Sequence, residues 1–99
     1  MTLRYLEFDQ SEDTGGIGTF EAMASTAPDR IAAVEAEIAR VLAWARATFP
    51  EGPCPLADGA AWDYDLQELD EGPARRTLVL SISGSPAFGA ALRERFGLD

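Results

Sequence analysis

The sequence predicts an α+β fold: a single domain over residues 1–99 in the order ββαββα, with a four-stranded, mainly antiparallel sheet and two helices on one of its faces. Three observations carry this. Apolar and polar residues alternate in four short segments, apolar residues recur at helical spacing in two longer ones, and clusters of Gly, Pro, Ser and Asp separate the six. A chain this short hides only about 60 to 65% of the surface its unfolded form exposes. One compact core is possible and two are not, so any site is shallow or shared with a partner.

Residues 3–9 set Leu6 and Phe8 against Tyr5, Glu7 and Asp9, the period of a half-buried strand. Residues 10–18, dense in Ser, Asp, Thr and Gly, read as a hairpin loop, and residues 19–26 resume the alternation with Phe20, Ala22 and Ala24 on one side. Pro28 suits a first helical position. Ile31, Val34, Ile38, Val41, Leu42, Ala45 and Phe49 then fall within about 100° of a helical wheel, in a helix that ends at Pro50. Residues 50–59 hold three Pro and two Gly and form a connection.

Trp62, Tyr64 and Leu66 alternate with Asp63, Asp65 and Gln67 in a third strand, followed by a turn at residues 70–73. Residues 77–83 are apolar enough on both faces for a central fourth strand. In the last helix Ser85 caps, Pro86 opens, Phe88, Leu92 and Phe96 form the core stripe, and Gly97 takes the left-handed stop. A right-handed crossover from the second strand to the third over the long helix gives the sheet order 1-2-4-3, a circular permutation of the ferredoxin-like plan.

The chain has no His and no Lys, so it lacks an imidazole base, a His metal ligand and a Schiff-base amine. Catalysis is disfavoured and no cofactor is expected. The net charge of -9 disfavours nucleic acid and anionic membranes and favours a basic protein partner. No apolar run approaches a membrane span, the start of the chain has no signal core, and Cys54 is the single cysteine, so the expected address is the cytoplasm.

The acidic residues gather in two stretches, residues 7–21 and 50–71, neither of which contains an Arg. If the helices cover the side of Leu6, Phe8 and Phe20, then Glu7, Asp9, Glu21, Asp63 and Asp65 share the open face, where like charges across a sheet cost stability. A solvated face is the plain explanation. The sharper one is a divalent-cation site or metal-assisted hydrolase: Asp63 and Asp65 project to one side of a strand about 7 Å apart, with Asp9 or Glu12 completing the shell.

Other motifs fail on inspection. Counted from Asp9, a calcium loop would need Gly where Thr14 stands and Glu where Phe20 stands. The Gly15–Gly18 run has no following Lys, Cys54 has no basic neighbour to lower its pKa, and Ser85 has no His with which to build a triad. Trp44 falls outside the apolar stripe, beside Glu37 and Arg40, which makes these three the candidate interface, with a second copy of the chain or with another protein. Trp62 and Tyr64 read as core or sheet-cover residues.

The segments Ser11-Glu12-Asp13-Thr14, Gly18-Thr19-Phe20-Glu21-Ala22-Met23-Ala24-Ser25, Trp62-Asp63-Tyr64-Asp65-Leu66-Gln67 and Leu92-Arg93-Glu94-Arg95-Phe96-Gly97-Leu98 resemble those of a family of short proteobacterial proteins with no known function. The resemblance spans nearly the whole chain and implies no catalytic or binding residue. The functional expectation is a small acidic binding or assembly module that self-associates as a homodimer or holds a basic protein. The alternatives are the metal reading and mimicry of nucleic-acid charge in the groove of a DNA-binding partner.

Overall fold

The computed structural model describes residues 3–70, without the Asp70 side chain, and residues 72–98. Its elements are β1 (Phe8–Glu12), β2 (Gly18–Thr26), α1 (Ile31–Thr48) after a 3-10 turn at Pro28–Arg30, β3 (Trp62–Asp70), β4 (Arg76–Gly84) and α2 (Pro86–Phe96). Every neighbouring pair of strands is antiparallel and the order is β1-β2-β4-β3. This is the predicted topology. The apolar β4 sits in the interior of the sheet because its Leu78, Leu80 and Ile82 need cover from strands on both sides as well as from the helices.

Alternation decides which face the helices take. Phe20, Ala22, Ala24, Trp62, Leu78, Leu80 and Ile82 are buried with Ile31, Val34, Ile38, Val41, Leu42 and Ala45 of α1 and Phe88, Leu92 and Phe96 of α2 in one core. The Trp62 ring stacks on Phe88 with centroids 5.5 Å apart and planes 4° from parallel, and its Nε1 donates to the Phe49 carbonyl at 2.9 Å. Gly84 permits this stack: it pairs with Trp62 across the strands, and a Cβ there would overlap the Phe88 ring. The ends of α2 follow the sequence reading. Ser85 Oγ accepts from Phe88 N, Gly97 adopts φ 67°, and Leu98 N donates back to Arg93 O.

The first strand departs from expectation. Residues 3–7 are not in the sheet, and β1 runs through Glu12 into ground read as loop. The cause is Glu37. Its carboxylate accepts from three successive backbone N–H groups, Arg4 at 2.7 Å, Tyr5 at 2.9 and 3.1 Å and Leu6 at 3.1 Å, which bends the chain over α1 and leaves no strand partner for these residues. Leu6 is still buried, as its apolar character demands. The hairpin then closes at residues 13–17, where Asp13 Oδ1 accepts from Gly15 N and Ile17 N and Gly16 takes φ 88°.

Candidate docking face

The sheet face away from the helices carries the side chains the core rejects. Its rows follow from the register. Asp9 stands opposite Glu21, Glu21 opposite Ser81, and Ser81 opposite Asp65, so one row crosses all four strands with three acidic residues and a hydroxyl. The next row runs Ser11, Thr19, Ser83, Asp63, with Thr19 Oγ1 and Ser83 Oγ 3.1 Å apart. On the other side of the acidic row lies Met23, Val79 and Gln67, then Ser25, Thr77 and Leu69. Met23 is 60% exposed and Leu69 41%, so this end of the face is apolar where the other is acidic.

Arg75 borders the apolar end. Its Nε donates to Ser25 Oγ and its terminal nitrogen to Ser25 O, while Thr77 Oγ1 donates to the same Ser25 Oγ beneath them. At the acidic end, Pro55, Leu56 and Ala57 wall a shallow hollow of about 390 Å³ floored by Asp63, Asp65, Ser81 and Ser83. Asp63 Oδ1 accepts from Tyr64 N at 2.9 Å.

The four carboxylates expected to share a cation do not converge. Asp63 and Asp65 lie on β3 and Asp9 on β1, at opposite edges of the sheet, a separation of three strand spacings or about 14 Å. Glu12 pairs with Gly18 in the register of Phe8 and Ala22, on the helix side. Among the described residues no group of three His, Cys, Asp or Glu could hold a metal ion. The alternation that puts three of these acids on one face also keeps them apart.

The expected interface trio is rearranged as well. Trp44 is half-buried, its ring 5.6 Å from Phe96, 5.9 Å from Phe88 and 6.2 Å from Phe49 between centroids. A helical wheel of α1 alone places this ring in water, but α2 docks beside α1 and covers it. Glu37, expected beside it on the surface, is only 5% exposed and serves the turn at residues 4–6. On the wheel Glu37 falls just outside Val41, beside Trp44, so helical period gives no signal for its burial. Arg40 remains exposed.

Trp62 is fully buried and Tyr64 is half-buried, stacked on Trp62 at 6.1 Å, as the sequence suggests. Two features were not legible in the sequence: the directly opposed Asp9 and Glu21, which depends on the β1 register, and the apolar end formed by Met23, Val79 and Leu69 from three strands. No helix among the described residues is long and apolar enough to cross a membrane. Compared with known proteins, the chain matches no family model, no curated protein and no solved structure.

Proposed function

We propose that this chain is a small non-catalytic binding module whose open sheet face docks a basic segment of a partner protein. The observation that carries the reading is the row Asp9, Glu21, Ser81, Asp65. Like charges directly opposite one another destabilise a sheet by tenths of a kcal/mol to about 1 kcal/mol, and a basic partner turns that cost into attraction. The adjoining Met23 and Leu69 supply exposed apolar surface beside the charge, the combination that protein docking surfaces use. Catalysis is no part of the reading: the hollow beside Asp63 and Asp65 is shallow and open, and the chain has no His or Lys to activate the serines that stand opposite those carboxylates.

The test is a titration with a labelled peptide of interspersed Arg and Leu at low and moderate salt. Wild type is compared with Glu21→Gln/Asp65→Asn on the open face and with Glu35→Gln/Glu94→Gln, which removes the same charge from exposed helix positions. The docking reading expects the open-face pair to weaken binding about tenfold at low salt and the helix pair to change it less than about twofold. Equal loss in the two variants reduces the effect to net charge and overturns the proposal.

A further inference from the structure

The outer edge of the sheet at β3 is long and mostly exposed. Ser85 N donates to Ala61 O on the β4 side, and Cys54 N donates to Trp62 O at 3.3 Å on the other side. Even-numbered residues of β3 therefore turn their backbone groups outward. The loop at residues 52–54 occupies the edge at Trp62, and no described backbone group from another segment covers it from Tyr64 to Asp70. Tyr64 N donates to the carboxylate of the preceding Asp63, a contact that an incoming strand displaces. Leu66, 43% exposed, and Leu69, 41% exposed, lie along this edge, one on each face.

We propose that β3 pairs with β3 of a second copy of the chain, antiparallel about a two-fold axis at Gln67, to make one continuous eight-stranded sheet. The register follows from charge and space. An antiparallel pairing that keeps both helix layers on one side sets even residues opposite even and odd opposite odd. Centred on Asp65 or on Glu68, it opposes two identical carboxylates, which costs stability. Centred on Leu66, it drives Asp70 of the second copy into the place that Cys54 holds beside Trp62.

Centred on Gln67, the pairing uses the open edge from end to end. Tyr64 stands opposite Asp70, Asp65 opposite Leu69, Leu66 opposite Glu68 and Gln67 opposite itself, with no two acidic residues facing. On the helix side each Leu66 borders a groove of about 290 Å³ lined by Ile38, Leu42, Arg46 and Tyr64, and the two Leu66 become diagonal neighbours about 7 Å apart. Arg46, whose guanidinium lies 5.8 Å from the Tyr64 ring centroid, stands with Glu35 on the groove wall that Glu68 of the second copy approaches, and Glu68 brings its own ion-pair partner Arg76. The pairing also lays the two open faces side by side, although it does not rest on the docking reading.

Sedimentation equilibrium of the full chain at about 100 µM is expected to give the dimer mass, within the range of weak small interfaces. Gln67→Asp, which sets two carboxylates on the axis, is expected to weaken association at least tenfold with an unchanged melting midpoint at monomeric concentration. In a Cys54→Ser background, Gln67→Cys is expected to form an intermolecular disulfide on mild oxidation, because facing residues at a non-hydrogen-bonded site have Cα atoms about 4.5 Å apart. Leu69→Cys is expected to form no intermolecular disulfide under the same oxidation. A wild-type monomer at this concentration overturns the proposal, as does cross-linking at residue 69 equal to that at residue 67. Peptide titration of the wild-type chain at concentrations well below the dimer midpoint keeps the docking reading separately testable, since the monomer retains its own unaltered open face.

Discussion

One sheet presents two surfaces built by the same four strands. On the helix side, Phe20, Ala22, Trp62, Leu80 and Ile82 are closed against α1 and α2 with almost no exposure. On the open side, Asp9, Glu21 and Asp65 lie in one row with Ser81. The first surface is set by volume, since ring stacking and close approach leave no slack. The second is set by charge, in a solvent that screens it. Stability therefore resides in one face and the freedom to specialise in the other.

Perturbing the closed face should have the largest effect. Gly84→Ala pushes a methyl group into the Phe88 ring and disrupts the stack on Trp62, with an expected loss of about 3 kcal/mol in urea unfolding. Glu37→Ala strands the N–H groups of Arg4, Tyr5 and Leu6. It should cost about 2 kcal/mol and abolish hydrogen-exchange protection at those three amides, while Glu37→Gln, which keeps one acceptor oxygen, should cost less. Loss of stability without loss of protection there would mean that Glu37 acts through packing alone.

The open face should respond in the opposite direction. Glu21→Gln removes the repulsion from Asp9 and is expected to raise stability by about 0.3 kcal/mol at low salt, with the gain fading as salt rises. A stability loss instead would show that Glu21 makes a favourable contact and would collapse the distinction between the two faces. Together these variants separate a face that cannot be altered cheaply from one that is stabilised by losing its charge.

Much of this molecule was legible from local pattern. The order of elements, the strand that lies inside the sheet, the caps of α2 and nearly all the core residues follow from alternation, helical period and the punctuation of Gly, Pro and Ser, because these report the backbone conformation and the side of an element that avoids water. The sheet order followed from the handedness of one crossover.

What the tertiary structure decided is where distant segments meet. Trp44 is a surface ring on the wheel of α1 and half-buried once α2 lies beside it. Glu37 is a charge on a helix until three backbone N–H groups more than thirty residues away converge on it, and that convergence pulls residues 3–7 out of the strand that their alternation predicts. Asp9 and Asp65 appear as members of one acidic cluster and are held at opposite edges of a sheet. Periodicity is a property of one element in isolation, whereas burial, pairing and charge proximity depend on which other element arrives, and the packing of the whole chain settles that.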